Sequence, residues 1–303
     1  MEPTYIIIMK LAVIALGGNA LIHPKERGTA IKQIKHVTET ICSLKTLTKK
    51  FSIVLTHGNG PQVGNLLIQQ ERGRQILPEM PLDTLDAMTQ GQIGYWIQQA
   101  IENIWKKNAV TIVTRVLVDK KDPAFTNPTK PIGPYYKEKI FPSMIKESEG
   151  WRRVVPSPKP VRIEDIQEIK NLARQKFIVI ACGGGGIPIV KERGKLVGVD
   201  AVIDKDYSTA KLATQLKADY IIFLTDVPHV YLNYGSRTQK PILKLDIDGA
   251  EILLASGEFK EGSMKPKIEA SIDFLKHGGK KVIITSVQEI NSALAGRGGT
   301  TIE

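Results

Sequence analysis

Short apolar runs alternate along the chain with longer amphipathic stretches. Lys10–Leu16, Ser52–Thr56, Thr111–Val118, Phe177–Ala181, Tyr220–Thr225 and Lys281–Thr285 are rich in β-branched residues and apolar at consecutive positions. A strand apolar on both faces is one buried between two layers, as in a parallel sheet. Between these runs, Ala30–Lys50 places Ile31, Ile34, Ile41, Leu44 and Leu47 near helical period, and Met88–Lys107, Ile163–Gln175 and Thr209–Lys217 also read as helices. Glu164 and Asp165 suit the first turn of theirs, where the helix dipole favours negative charge. Alternation at this frequency predicts an α/β sandwich. Asp122–Pro160 departs from the pattern: it holds eight of the 17 prolines and no long period. It predicts an excursion from the sheet, a small flap over a site.

Three apolar runs end in glycine-rich turns: Leu16-Gly17-Gly18-Asn19-Ala20, Thr56-His57-Gly58-Asn59-Gly60-Pro61-Gln62 and Ala181-Cys182-Gly183-Gly184-Gly185-Gly186. Ligands of open parallel sheets collect outside the carboxyl ends of the strands. A turn without side chains lets backbone N–H groups close on an oxyanion there. Lysine-bearing segments accompany the turns: Lys120 at a strand end, Lys205 after an apolar run, and Lys267 in what reads as a Gly/Pro loop before a helix. Phosphoryl transfer asks a protein mainly for positioning and neutralised charge, which such a set supplies. A P-loop is excluded, because no GxxxxGK[ST] occurs. Gly278-Gly279 precedes a strand and reads as a helix stop. Gly58–Gly64 comes near the dinucleotide fingerprint, but no second strand ending in an acid follows about 20 residues on, and Leu66–Arg74 looks helical instead.

Composition narrows the partners. The 303 residues allow one large α/β domain or two lobes, and the formal charge of +11 invites nucleic acid or an anionic substrate. The lysines are spread out and only 6% of residues are aromatic, without basic–aromatic interleaving, so a solvated surface is expected and nucleic-acid binding is not. No run approaches ~18 apolar residues, so no membrane span is expected. Cys42 and Cys182 form neither a disulfide framework nor a metal cluster; both are expected to be small buried residues in a reducing cytoplasm. Met9 is a candidate start, with Met1–Ile8 as an extension.

The motifs ALGGNAL (15–21), THGNGPQVG (56–64), MTQGQIGY (88–95), VDKKDPAF (118–125), NPTKPIGPYY (127–136), GWRRVVPSPKP (150–160), ACGGGGIP (181–188), GVDAVIDKD (198–206), LTDV (224–227) and GSMKPK (262–267) occur in that order. On these blocks the chain, from Lys10 to its end, resembles the carbamate kinases of the amino-acid-kinase superfamily. The resemblance implies a three-layer αβα sandwich with a mainly parallel central sheet, a protruding flap and a homodimeric, cytoplasmic enzyme. It implies one domain over 9–303, with a carbamate-binding lobe at 9–190 (flap 122–160) and a nucleotide-binding lobe at 191–303. The implied reaction is reversible transfer between ATP and carbamate, giving ADP and carbamoyl phosphate, with Mg²⁺ on the nucleotide and no metal held by the protein.

By the same resemblance, Gly17, Gly18, Asn19, Gly58, Asn59 and Gly60 would hold carbamate and the transferring group. Lys120 would reach in from the base of the flap, Lys205 from the core, and Lys267 would contact nucleotide phosphates, with Asp206 orienting the catalytic lysine. Gly183, Gly184, Thr225, Asp226, Val227, Tyr234 and Met264 would line the nucleotide site. Sister kinases carry a lysine just before the first glycine turn; here that position is Ala15, and Lys120 would take its role. His57 is expected to bond local backbone, Asp83 and Asp86 to cap a helix, and Arg152 and Arg153 either to guide anions or to salt-bridge the flap base. The flap looks short between Tyr136 and Gly150, and Lys265 adds a charge near the nucleotide. The alternatives are another small-acid or phosphate kinase of the superfamily, and a noncatalytic carbamoyl-phosphate or nucleotide sensor.

Overall fold

Strand β1 (Lys10–Leu16) shows how the layers form, because its side chains alternate between two cores. Ala12, Ile14 and Leu16 share one core with Val37, Ile41 and Leu44, while Val13 and Ala15 share the other with Ala210, Leu212, Ala213 and Phe274. A strand buried on both faces needs helices on both, which makes three layers. The computed structural model describes residues 9–18, 21–22, 26, 28–140, 143–147, 150–260 and 262–303.

After β1 come α1 (Ala30–Leu44), β2 (Phe51–His57), α2 (Gly60–Gly73), α3 (Leu82–Trp105) and β3 (Ala109–Thr111). Thr29 caps α1, its hydroxyl accepting from the Lys32 N–H at 3.4 Å. The buried stripe of α1 runs through Gln33, His36, Val37, Thr40, Ile41 and Leu44, so the expected Ile31 lies instead in solvent, 82% exposed. Cys42, expected inside, is also exposed, whereas Cys182 is buried.

The chain next leaves the main sheet through β4 (Arg115–Val118) and forms the flap strands β5 (Lys130–Tyr136), β6 (Met144–Glu147) and β7 (Gly150–Val155) before returning along β8 (Pro160–Ile163). The flap is thus a three-stranded antiparallel sheet, order β5-β7-β6. It docks on α2, where Gly64 backs so closely on Gly133 that a Cβ on Gly64 would enter its backbone. Arg153 pairs with Glu71 of α2 beside this contact, the ion pair expected at the flap base.

Helix α4 (Ile166–Arg174) and β9 (Ile178–Ile180) follow, then β10 (Ile187–Glu192) and β11 (Lys195–Gly198), which complete a second sheet of order β11-β10-β4-β8. Asp165 does not cap α4; its carboxylate accepts from the Arg115 N–H at 2.7 Å and from the Arg115 guanidinium. The C-terminal part adds α5 (Lys205–Leu216), β12 (Tyr220–Leu224), the hairpin β13 (Val230–Leu232) and β14 (Lys240–Ile242), β15 (Lys244–Leu245), α6 (Ile247–Ala255), α7 (Met264–Lys276), β16 (Lys281–Thr285), α8 (Ile290–Leu294) and β17 (Thr300–Ile302). The main sheet has eight strands in the order β15-β17-β16-β12-β1-β2-β9-β3, and only the β16–β17 pair is antiparallel. Among the described residues no helix is long and apolar enough to cross a membrane.

The Gly64–Gly133 contact gives a direct test. Gly64→Val is expected to lower stability by about 1–3 kcal/mol through overpacking and to speed proteolysis within the flap. Gly73→Ala, at a helical position with nothing within 4 Å of the added carbon, serves as the matched control and should be neutral or slightly stabilising in thermal melts.

Candidate active site

Four adjacent parallel strands, β12, β1, β2 and β9, end at one edge of the main sheet. Their registers pair Ala15 with both Thr56 and Phe223, and Leu55 with Ile180, so the loops that follow form a row. Thr225–Val227 stands first, then Gly17–Gly18, Gly58–Gly60 and Gly183–Gly186. The chain order reverses beside β1, which is where doubly wound sheets open a ligand crevice. Asn19 lies outside the described residues.

The charged centre is built on the first turn of α5. Asp204 caps this helix, its Oδ1 accepting from the Asp206 N–H at 2.9 Å, so the helix begins at Lys205 and not at the expected Thr209. Lys205 Nζ donates to Asp206 Oδ1 at 2.7 Å, and Lys267 Nζ to Asp206 Oδ2 at 3.0 Å. Lys267 sits inside the first turn of α7 and not in a loop before it; its Nζ also donates to the Ser263 carbonyl at 3.1 Å. Asp206 and Lys267 are buried, and the Lys205 side chain is 16% exposed.

These charges set one another's titration. Burial would raise the Asp206 carboxyl, but Lys205 and Lys267 pull it well below the usual carboxylate range. Burial would lower the Lys205 ammonium, yet Asp206, Asp204 and Asp226 outweigh it and hold it above its ordinary value. For Lys267, burial, aided by the charge of Lys205, wins over Asp206, and the ammonium falls below its ordinary value.

A fifth charged group comes from the flap. Lys130, on β5, pairs with the second oxygen of Asp204. The cluster therefore sets three ammonium groups against the two carboxylates they pair with, and the Asp226 carboxylate acts on Lys205 from beside it. Lys120 is not part of it: its side chain is 70% exposed and pairs with Glu192, since the parallel register of β4 on β10, Leu117 opposite Ile189, carries Lys120 level with Glu192. Lys130 and Asp204 both stood inside recognisable blocks. An Asp directly before a helix was the usable signal for Asp204; the Lys130 contact joins residues 74 apart and left no local one.

The glycine turn after β2 faces Lys205. A Cβ on Gly58 would sit 3.3 Å from Lys205 Cδ, so a glycine here lets the lysine stem lie against the turn. His57 bonds the Gly58 carbonyl through Nδ1 at 2.9 Å, as expected for a structural role, and burial lowers its pKa to about 4. The side chain of Asn59 points away from the crevice, its amide donating to Asp86 Oδ1 and Thr89 Oγ1, both at 2.9 Å. Asp86 is thus buried in mid-helix and caps nothing, while Asp83 lies in the first turn of α3.

A cavity of about 550 Å³, within the ordinary size of ligand pockets, opens beside the cluster. Thr225, Asp226, Val227, Tyr234 and Met264 all line it, together with Tyr231, Asn233, Phe259 and Ser263. Ser263 links it to the cluster through Lys267. Gly183 and Gly184, expected there, are elsewhere: they are buried behind His57 and Asn59, three strands along the edge from β12, about 14 Å at the usual strand spacing. Gly185 supports the charged start of α5, its carbonyl accepting from Ser208 Oγ at 2.5 Å. Among the described residues no group of three His, Cys, Asp or Glu side chains is arranged to hold a metal ion.

With this geometry in hand, comparison with known proteins is specific. The amino acid kinase family matches residues 10–286. A carbamate kinase of Thermococcus kodakarensis is 44% identical over 97% of this chain and 99% of its own length. Carbamate kinase 2 of Staphylococcus aureus is 47% identical over 96% and 98%. The structure of a carbamate kinase from Giardia lamblia bound to AMP-PNP superposes with a TM-score of 0.91 at 42% identity, covering 97% of this chain and 98% of that one.

The buried His57 makes stability depend on pH. Its pKa is about 4 in the folded chain against 6.5 in the unfolded one, so between those values only the unfolded chain binds the proton. Stability is therefore full above the unfolded value and falls with pH, by about 2 kcal/mol between pH 7 and pH 5. Burial raises the pKa of Asp86, which acts in the opposite sense in both proteins, so the difference is the readout: in urea melts at the two pH values wild type should lose about 2 kcal/mol more than His57→Gln.

Proposed function

We propose that this chain, which belongs to the amino acid kinase family and within it to the carbamate kinases, transfers a phosphoryl group reversibly between ATP and carbamate, giving ADP and carbamoyl phosphate. The observation that carries the reading is the buried Lys130–Asp204–Lys205–Asp206–Lys267 cluster, set between a nucleotide-sized cavity and a glycine turn. Carbamate is already an oxyanion, so its attack on phosphorus needs no general base; a neutral, buried His57 accords with that. The obstacle is repulsion between two anions. Opposite unit charges ~4 Å apart at an effective dielectric of ~20 attract by ~4 kcal/mol, so a few ammonium groups supply much of the barrier reduction.

In this reading Gly17, Gly18, Gly58 and Gly60 hold carbamate and the transferring phosphoryl group, and Lys205 neutralises charge that develops on it. Lys267 bridges to the nucleotide phosphates, Asp206 orients both lysines, and Lys130 brings the flap onto the site. Thr225, Asp226, Val227, Tyr234 and Met264 receive the nucleotide. The sheet supports two lobes, since β1, β2, β9 and β3 form one half and β12, β16, β17 and β15 the other. Carbamate then lies over 9–190 and nucleotide over 191–303. Ala15, buried at the end of β1, supports carbamate over the substrates of sister kinases. Mg²⁺ enters with the nucleotide as part of the substrate, ligated by phosphate oxygens and water. The reading includes a homodimer, which light scattering would show as twice the chain mass of 33.5 kDa.

The test is ATP formation from ADP, Mg²⁺ and carbamoyl phosphate. Lys205→Ala should lower kcat by about 10²–10³-fold with little change in the ADP Kd, because the lysine acts on charge in the transition state. A raised KM with normal kcat would sink that assignment. In wild type, kcat/KM should decline on the alkaline side below the ordinary lysine range, because Lys267 loses its proton first in the ligand-free enzyme.

A further inference from the structure

An asparagine at a helix start ordinarily turns its amide oxygen onto an N–H of the first turn. Asn59 stands at that position before α2 and makes no such bond. Its amide is drawn onto α3 instead, by Asp86 Oδ1 and Thr89 Oγ1. Pro61 has no N–H and Val63 N–H already donates to the Asn59 carbonyl, so Gln62 N–H is the donor a self-cap would take. Apart from its chain neighbours and its own helix backbone, no described atom lies within 4 Å of where a Cβ on Gly60 would sit, and the Lys205 stem runs beside Gly58. The start of α2 is therefore an uncapped anion-facing end in the middle of the site.

We propose that Asp86 is a positioning residue that keeps the Asn59 side chain off the start of α2, leaving the Gly60 and Gln62 amides free for the transferring phosphoryl group. Asp86 is 1% exposed, and its Oδ2 is buried with no hydrogen-bond partner. That is costly for a carboxylate and cheaper for a neutral acid. Burial raises its pKa well above the usual range, Asp83 adds to this, and the Asn59 bond opposes it. An amide at the same place then does the same work. Without Asp86, Asn59 keeps one acceptor, Thr89, whose hydroxyl is itself tied to the Asp86 carbonyl at 2.8 Å. Self-capping then competes with the substrate anion. The inference rests on the reading above, which makes that anion a phosphoryl group.

The experiment compares wild type, Asp86→Leu, Asp86→Asn and Asp86→Leu with Asn59→Ala, with Asp86→Ala replacing the leucine variants if they do not fold. Asp86→Leu should raise the KM for carbamoyl phosphate about five- to tenfold with the ADP Kd unchanged. Asp86→Asn should rescue most of this. The double variant, having no amide to self-cap, should lie nearer wild type than Asp86→Leu alone. Equal losses in Asp86→Leu and Asp86→Asn, or a double variant worse than Asp86→Leu, would overturn the proposal, because a merely structural role adds damage. Inorganic phosphate titrated into ¹⁵N-labelled protein separates the two readings. It should shift the Gly60 and Gln62 amides in wild type and the double variant but not in Asp86→Leu. Those shifts in a wild type that does not turn over carbamoyl phosphate would sink the carbamate reading alone; their absence from wild type would sink the role of Asp86.

Discussion

Two ammonium groups share one buried carboxylate at the centre of this molecule, and much of the surrounding structure follows from that. Lys205 and Lys267 lie in surroundings where an unpaired charge would be expensive, and Asp206 gives each one oxygen. Asp206 can do so only because Asp204 caps α5 ahead of it, which places Lys205 and Asp206 in the first turn. The other oxygen of Asp204 is then free to hold the flap through Lys130. Below, Thr56 and Thr209 join their hydroxyls at 2.7 Å, tying the end of β2 to the same helix. In the proposed reaction the phosphoryl group meets here charge already gathered and oriented, which is how preorganised electrostatics lower a barrier.

The sheet edge distributes the chemistry. Four parallel strands deliver four loops in a row, and a loop's place in that row decides what it serves. The Thr225–Val227 loop leads into the nucleotide-sized cavity, Gly17 backs onto Leu224 and Thr225, and the Gly58–Gly60 turn lies beside Lys205 and opens α2. The last turn, at Gly183–Gly186, does not line that cavity; it buttresses Asn59 and the loop before α5. The flap, inserted between β4 and β8, is pinned by backbone contact at Gly64 and by Arg153–Glu71.

Local pattern carried the frame further than it carried the site. The ends of β1 and β16 coincide with their apolar runs because a strand buried on both faces has no polar position to blur it. Thr111–Val118 read as one strand but is two, in different sheets. Between them Thr114 turns inward, its N–H donating to Gln90 Oε1 at 2.7 Å and its hydroxyl accepting from the Cys182 N–H at 3.0 Å, a partnership no local pattern shows. Helix starts were read late: α3 begins at Leu82, not Met88, since its first turns carry acids resembling a cap, and Asp204 was read as part of a site motif. Motif blocks brought Lys205, Asp206 and Lys267 to attention, and the structure brings the three side chains together. They did not separate Lys120 from Lys130, because which lysine turns inward depends on where β10 and α5 lie.

That distinction offers the sharpest measurement: kcat for Lys130→Met and Lys120→Met, side by side, in ATP formation from carbamoyl phosphate. If the buried cluster sets the charge that the phosphoryl group meets, the Lys130 variant loses more, by about tenfold or beyond, than the Lys120 variant. A larger loss at Lys120 would mean that the exposed lysine leaves Glu192 to act in the transition state, and that the cluster seen here is not the catalytic arrangement.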